Sequence, residues 1–477
     1  MSQISSLFPP LCTTHSNPVN PELSASCIWN CPEHNALEAA QAFLSAHNVS
    51  FILAQFVDIH GSIKSKSVPV HCLASLVSDG AGFAGAAVQG FTMSPQDPEY
   101  MLVADLTTLT LLPWLPGYAL IRGTGMVGDS AYALDSRNLL IEQCERLQQK
   151  SWRLMTGLEP EFYLLKQDSE GNVSTYDDTD NQEKPTYNYQ GITRNAHIIE
   201  PLYSALTKVG LDVYQIDHED ANGQYELNFK YDEALKTSDH IQFFKMSAKE
   251  IANKHGALCS FLPKLSATTT GNGMHVHCSL VDSEGSNLFN DDNDPHQMGL
   301  SALAYQFIAG IMAHAKGLTA LLCPSVNSYK RLISGTPDRP SWAPVYIAYG
   351  DNNRSAMLRI PYGRIEIRIG DSSMNTYLAT AAIIAAGLDG IERKLTPPDP
   401  ININFFSLTN EQINTLQVDR LPENLSEAIN ELEKDPFFAE ALGEEFIDNF
   451  IRIKREEWQR YHLQVSDWEI KEYLSFY

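Results

Sequence analysis

Glu159 and Glu161 stand two residues apart in an otherwise apolar run, Gly157-Leu158-Glu159-Pro160-Glu161-Phe162. The pattern predicts a strand over residues 154–166, and a strand places both carboxylates on one face. Like charges side by side on a sheet face repel, and burying them is costly unless something positive lies between them. A solvated strand face satisfies the same pattern, so the pair acquires meaning from its company. The acidic run Asp217-His218-Glu219-Asp220 is followed by Glu226, Met274-His275-Val276-His277 alternates two imidazoles, and Arg364-Ile365-Glu366-Ile367-Arg368 alternates charges of both signs. Strand-like segments offering carboxylate and imidazole on alternating positions are the donor set of a divalent-cation site built on a sheet.

The spacing elsewhere supports the same chemistry. Glu219 and Glu226 flank Asn222-Gly223, which predicts two strand positions joined by a turn, with both side chains returning to one cavity. Two histidines at i and i+2 share a strand face, where a satisfied core histidine and a ligand are both possible readings. No Walker-type glycine loop is present, so a nucleotide must be held by other means. Arg331, Arg354, Arg359, Arg364 and Arg368 crowd one stretch of a chain with only 34 Lys and Arg in 477 residues. Their forks suit carboxylates and a polyphosphate. The net charge of -24 argues against nucleic acid or an anionic membrane as main partner, since both need basic surface.

A chain of this length predicts two domains. Residues 1–35, with repeated prolines, read as an irregular extension without a basic, apolar leader, so a cytoplasmic protein is expected. Residues 36–134 read as a small domain: a helix over 37–47, a strand over 51–57, a turn over 58–61 and a returning strand over 65–70. Asp and Gly are ordinary residues for such a turn, which gives Asp58 first a structural role. Asp135 is the predicted cap of a helix that opens a larger domain, 135–477. The apolar stretch 302–323 is interrupted by Gln306, His314 and Lys316 and reads as a core or interface helix, not a membrane span. The acidic loop 166–185 reads as solvated. The aromatic end, 468–477, is expected to pack onto something. Cys27 and Cys31 lack a second ligand pair, and the eight cysteines read as reduced thiols.

Eight runs in one order carry a family resemblance: Asp58-Ile59-His60-Gly61, Glu159/Glu161, Asn222-Gly223-Gln224-Tyr225-Glu226, Pro263-Lys264, Gly271 through His277, Asn327-Ser328-Tyr329-Lys330-Arg331, Asn353-Arg354-Ser355 and Arg364 through Arg368. The chain resembles the glutamine synthetase family of ATP-dependent glutamate ligases, and within it the branch of glutamate–methylamine ligases. The resemblance implies an α+β fold, with a small N-terminal beta-grasp domain and a large catalytic domain whose antiparallel sheet lines the active site. It implies ATP and Mg2+ or Mn2+ as cofactors, L-glutamate and a small amine or ammonia as substrates, and a γ-glutamyl phosphate intermediate. It implies a homo-oligomer, two hexameric rings forming a dodecamer, in which the small domain and Asp58 lean over a neighbour's cavity. Residue by residue, it implies one metal on Glu161, Glu219 and Glu226 and another on Glu159, His275 and Glu366. Arg331, Arg368 and Gly271 are implied for glutamate, Arg354 and Arg359 for the transferring phosphate, and His277, Arg359 and Arg364 for the nucleotide. Tyr189 is the loosest match, placed near the amine.

The departures from the ammonia-using pattern are informative. Ala84 stands where those relatives carry an aspartate for ammonium, and Trp342 stands where a flap glutamate aligns. Asp338, in a longer loop, is the candidate replacement carboxylate and catalytic base. Thr270 replaces the asparagine that precedes the glutamate-contacting glycine. Asn404-Phe405-Phe406 lacks the tyrosine at which some relatives are adenylylated, so that regulation is not expected. Losing two carboxylates weakens a cage for ammonium. An alkylammonium gains roughly 0.8 kcal/mol from one buried methyl and about 0.5 to 2 kcal/mol from an indole face. Methylamine or ethylamine is therefore the expected nitrogen donor, with glutamine synthesis from ammonia and a catalytically inactive scaffold or regulator as the rivals.

Overall fold

The chain is described from a computed structural model covering residues 36–334 and 341–477. The extension 1–35, with Cys27 and Cys31, and Asp338 lie outside the described residues.

Helix Ala36–Ala46 leads into a four-stranded sheet ordered Ile63–Pro69, Phe51–Val57, Tyr118–Ile121, Thr110–Leu111. Its central pair is parallel, with Phe51 beside Tyr118, and the flanking pairs are antiparallel. A second, antiparallel sheet is ordered Ala81–Phe83, Tyr100–Ala104, Gly123–Val127, Ser130–Ala131. Phe56, Phe83, Phe91 and Tyr100 interlock between the two. The expected strand over 51–57 and turn over 58–61 are both present.

Asp135 caps helix Ser136–Gln148 as expected, accepting from the Arg137 N–H at 2.8 Å. It also accepts from the Tyr100 hydroxyl at 2.7 Å, fastening the second sheet to that helix. Arg137 continues the link with a two-pronged bond to Asp239 on helix Ala234–Lys254, at 3.1 Å on each arm.

The site is built on a ten-stranded sheet. Its main order is Val213–His218, Gln224–Phe229, Arg153–Gln167, Met274–Val281, Ile365–Ile367, Leu358–Ile360, Tyr349–Asp351. Neighbours are antiparallel except the last pair. The long strand Arg153–Gln167 shows why the sequence folds this way. Its even positions Leu154, Leu158, Phe162 and Leu164 enter the main hydrophobic core, while Tyr163 and Leu165, on the other parity, join a separate small cluster with Ala221. Strand alternation therefore sends Glu159 and Glu161 away from the main core and onto the same face. Helices Ala234–Lys254, Ala302–Ala313, Ala315–Leu322 and Thr376–Glu392 fill that core with apolar residues. The apolar stretch 302–323 is two helices instead of one, broken at His314, whose ring nitrogens meet Asp435 at 2.6 Å and Asp389 at 3.0 Å. No helix among the described residues is long and apolar enough to cross a membrane.

Candidate active site

Sheet register lays the charged residues out in rows. Asp217 faces Glu226, and Glu226 faces Glu161. His275 faces Glu159. His277 faces Glu366, and Glu366 faces Arg359. Directly opposed residues share a face, so ligands scattered over the sequence converge. Glu219 stands just past strand Val213–His218, its N–H bonded to the Gln224 carbonyl at 2.9 Å. Gly223 closes this hairpin at φ +72°, and a Cβ there would meet the Leu164 carbonyl at 2.9 Å, so the turn needs glycine.

One side of the face is rich in positive partners. Glu366 is fully buried, accepts from Arg359 at 2.8 Å and pairs with Arg368. Burial opposes its ionisation, but Arg368 and the two imidazoles outweigh this and hold its carboxyl down at about 2. Glu159 bridges the imidazoles, with His275 Nδ1 at 3.2 Å and His277 Nε2 at 2.8 Å. Its carboxyl is likewise held well below the usual range against its own burial, chiefly by His277. Burial and Arg368 push His275 down to about 4, leaving it neutral near pH 7, as a metal-binding imidazole must be.

One ligand atom each from Glu159, His277 and Glu366 lie within 4.8 Å of one another. Arg364 Nε, a donor only, faces His277 Nδ1 at 3.1 Å. The hydrogen-bond network therefore assigns Nδ1 as acceptor and Nε2–H as donor to Glu159. His275 Nδ1 lies 3.2 Å from Glu159 and 3.7 Å from Glu366. The triad within ligand distance therefore contains His277, where the sequence expectation named His275, whose Nδ1 also meets Glu159.

The other side is acid-rich. Glu161 is pushed up to about 7, first by burial, although the Gly273 N–H at 2.9 Å and the Gln224 amide at 2.8 Å both donate to it. Glu219 is pushed up to about 8 by burial, then by Glu161 and Asp217. Glu226 is raised well above the carboxylate range by burial, then by Glu159 and Glu161. Three buried or half-buried carboxyls, raised by burial and by one another, are an oxygen donor set that suits a hard divalent cation, which would supply positive charge there.

The remaining expected residues divide. Gly271 allows close approach: a Cβ there would lie 2.5 Å from the Pro263 carbonyl and 3.1 Å from the Arg331 side chain. Arg331 is buried and donates to the carbonyls of Ile369 at 2.7 Å and Arg368 at 3.2 Å. Arg354 is exposed and lines a cavity of about 420 Å³ with Trp342, Asn352 and Phe406. Asn352 accepts from Arg359 Nε at 2.7 Å, joining that cavity wall to Glu366.

Asp58 is not brought to the cluster by its own chain. Its Oδ1 accepts from the N–H groups of His60 and Ser62 at 3.0 and 2.9 Å, and its Oδ2 meets Lys64 at 3.2 Å. Its carbonyl accepts from Asn375, the cap of helix Thr376–Glu392, at 3.1 Å. Tyr189 opens helix Tyr189–Arg194 and is 77% exposed. The nearby Tyr187, instead, feels the charges of Glu219 and Asp217, which add to burial in raising its hydroxyl.

Sequence reasoning gave no role to Asp217, to Tyr214 or to Asp220. Asp217 is opposite Glu226, and Tyr214 feels Glu159 and Glu226. The signal for Asp217 was the same two-residue alternation with Glu219 that revealed Glu159 and Glu161. Asp220 had no periodic signal, because its importance comes from loops.

Residues 133–473 match the family described as glutamine synthetase, catalytic domain. The chain is 48% identical over 440 residues to the glutamate–methylamine ligase of Methyloversatilis universalis, covering 92% of this chain and 99% of that one. It is 37% identical over 434 residues to the glutamine synthetase of Rhizobium meliloti, covering 90% and 97%. Among solved structures it resembles one described as the GmaS/ADP complex in conformation 1, with a TM-score of 0.86 and 38% identity over 91% of this chain and 99% of that chain.

Proposed function

The chain belongs to the glutamine synthetase family, and on that premise we propose that it is an ATP-dependent ligase joining the γ-carboxyl of L-glutamate to a small alkylamine, methylamine or ethylamine ahead of ammonia. The observation that carries the proposal is the division of one sheet face into an acid-rich half and a half balanced by arginine and imidazole. The extended likeness to a relative that is itself a glutamate–methylamine ligase supports the choice of amine.

Joining a carboxylate to an amine in water runs uphill, so the carboxylate must first gain a leaving group. A γ-carboxylate oxygen attacks the terminal phosphorus of ATP and ADP leaves. The amine nitrogen then attacks the acyl carbon, phosphate leaves, and the amine's protons pass to carboxylate or water. The first step forces two anions together, which demands positive charge arranged in advance. Divalent cations, Mg2+ or Mn2+, would supply part of that charge, one held by Glu161, Glu219 and Glu226 and one by Glu159, His275 and Glu366. Arg331 and Arg368, beside Gly271, orient glutamate. Arg354 and Arg359 meet the transferring phosphoryl group, and Arg364 with His277 meets the remaining phosphates.

The proposed assembly is a cytoplasmic homo-oligomer, two hexameric rings forming a dodecamer, with residues 36–134 and 135–477 as its domains. Two features support it: Asp58 has no contact with the ligand cluster of its own chain, and Trp468, Leu474 and Phe476 are exposed at its end. Mixing Asp58→Asn with Glu366→Ala protein should restore activity if sites are shared between copies. A fully active monomer would rule that assembly out.

The function is tested by supplying purified protein with glutamate, ATP and Mg2+ or Mn2+, with ammonium, methylamine, ethylamine or putrescine. Amine-dependent release of ADP and phosphate is expected, with kcat/KM for methylamine or ethylamine about 10- to 100-fold above ammonium. Preference for ammonium would make the chain a glutamine synthetase, and no turnover with any amine would make it an inactive relative.

A further inference from the structure

Thr270 and Trp342, two positions at which this sequence departs from its ammonia-using relatives, are held by one carboxylate. Asp220 Oδ2 accepts from the Thr270 hydroxyl at 2.8 Å and from the Trp342 indole N–H at 3.3 Å. Its Oδ1 accepts from the Thr186 hydroxyl at 2.7 Å. Three loops therefore meet on a single half-buried side chain.

Each end of this junction is tied to the ligand cluster. Asp220 directly follows Glu219 in a turn fixed by bonds from the Glu219 N–H to the Gln224 carbonyl at 2.9 Å and from the Ala221 N–H to Gln224 Oε1 at 3.0 Å. Thr270 precedes Gly271, and its carbonyl accepts from the Tyr163 hydroxyl at 2.5 Å. On the opposite side, the Trp342 carbonyl accepts from Arg368 at 3.3 Å, and the same guanidinium pairs with Glu366. Trp342 is thus strung between the acid-rich half, through Asp220, and the balanced half, through Arg368.

The backbone of Trp342 registers this constraint. Its φ is +56°, a left-handed conformation that bulky residues adopt only when their surroundings over-determine it. The indole stays 41% exposed and lines the cavity it shares with Arg354. An indole that is oriented by its N–H edge and keeps a free face is the arrangement that attracts an alkylated ammonium, whose methyl and charge both favour an aromatic face. Without the anchor, the ring is free to rotate away.

We infer that Asp220 is a positioning residue for amine selectivity: with Thr270 it fixes the Trp342 indole so that an alkylammonium is favoured over ammonium. The inference rests on the alkylamine-ligase reading above. A merely structural staple, or a carboxylate serving only the neighbouring metal ligands, makes a different prediction, because neither distinguishes one amine from another.

The test measures kcat/KM for methylamine and for ammonium, together with the Kd of Mn2+, in the full-length chain and in Asp220→Asn, Thr270→Val and Trp342→Phe. Asp220→Asn is expected to lower the methylamine-to-ammonium ratio about tenfold, and Trp342→Phe and Thr270→Val about threefold each, with Mn2+ binding unchanged in the latter two and weakened no more than about two- to fivefold in Asp220→Asn, whose charge also reaches Glu219. The double variant Asp220→Asn/Trp342→Phe is expected to lose no more selectivity than Asp220→Asn alone, since both act through one bond. Equal losses for both amines with Mn2+ binding weakened beyond that range, or an unchanged ratio, would overturn the inference while leaving the ligase reading intact. A full-length chain with no activity toward any amine would instead remove the ligase reading, and the inference with it. Should Asp220→Asn not fold, the half-exposed Trp342→Phe decides the outcome by itself.

Discussion

Glu366 and Glu219 belong to one charged cluster built on a single sheet and to opposite electrostatic regimes. Glu366 is the more deeply buried, yet its carboxyl is held down at about 2, because Arg368, His277 and His275 outweigh the desolvation that opposes its charge. Glu219 is pushed up to about 8, because burial is joined by Glu161 and Asp217 and, among the described residues, no arginine pairs with it. Burial alone therefore does not set the charge of a carboxyl here; the partners on adjacent strands do. The balanced half carries its counter-charges in the protein, whereas the acid-rich half, on the proposal above, takes a cation from solution. A site that must bring a carboxylate and a phosphate together benefits from both: fixed guanidinium groups for orientation, and an exchangeable charge that arrives with the substrates.

The largest expected effect separates the halves by substitution. Glu366→Gln leaves Arg359 and Arg368 facing a neutral amide in a buried setting, and breaking a buried pair in this way costs about 3 to 5 kcal/mol. Turnover should fall at least about a thousandfold, as it does when preorganised charge is removed, with a clear drop in Tm. Glu161→Gln should lower turnover by about 100- to 1,000-fold, yet leave the metal-free Tm unchanged or higher, since it relieves crowding. Activity assays with metal-free calorimetry check both. Equal Tm losses in the two variants would erase the distinction between the halves.

The next expected effect uses pH. A carboxyl raised from 4.5 to about 8, as Glu219 is, or to about 7, as Glu161 is, holds more protons folded than unfolded over that interval. Its contribution to stability therefore falls as pH rises from 4.5 toward 8. In the balanced half the sign reverses. Glu366, lowered from 4.5 to about 2, loses its stabilising contribution as pH falls through that interval, and His275, lowered from 6.5 to about 4, adds a loss as pH falls through its own. Metal-free protein should be most stable near pH 5 to 6, with Tm lower by a few degrees at pH 8. Saturating Mn2+ requires ionised ligands and should move that maximum upward. A metal-free Tm that rises steadily from pH 5 to 8 would contradict the acid-rich half.

How much of this was legible beforehand follows from what sequence periodicity encodes. Alternation placed Glu159 with Glu161 and His275 with His277 on common faces, and the turn residues Asn222 and Gly223 announced the hairpin that returns Glu226. The strand over 51–57 and the Asp135 cap were readable because each depends on local chemistry. Register was not readable: nothing in the sequence states that Glu226 lies opposite Glu161 and Asp217 opposite Glu226. Asp58 shows a different limit. Its turn geometry was evident, but its contacts are made with Lys64 and Asn375, and the role proposed for it rests on the proposed second copy. Asp220 escaped notice because the bonds that give it meaning come from Thr186, Thr270 and Trp342, on three separate loops.

The smallest expected effect asks how far the acid-rich half extends. Asp217 is outside the expected ligand set but directly opposite Glu226, and its charge is among the causes that raise Glu219. It is half-buried and accepts a bond from Gln215, so Asp217→Asn should fold with little rearrangement. Removing that charge moves the Glu219 carboxyl back toward its ordinary value, so less of the penalty acquired between pH 4.5 and 8 remains. Metal-free stability at pH 8 should therefore rise by about 0.5 to 1 kcal/mol, while at pH 5, where Glu219 is largely protonated, it should hardly change. Mn2+ should bind about two- to fivefold more weakly, because one long-range anion is lost while the direct ligands remain. Calorimetry at both pH values and Mn2+ titration check the two signs together. If Mn2+ binding instead fell as far as in Glu161→Gln, Asp217 would be a direct ligand, and the acid-rich half would be larger by one carboxylate than the sheet rows indicate.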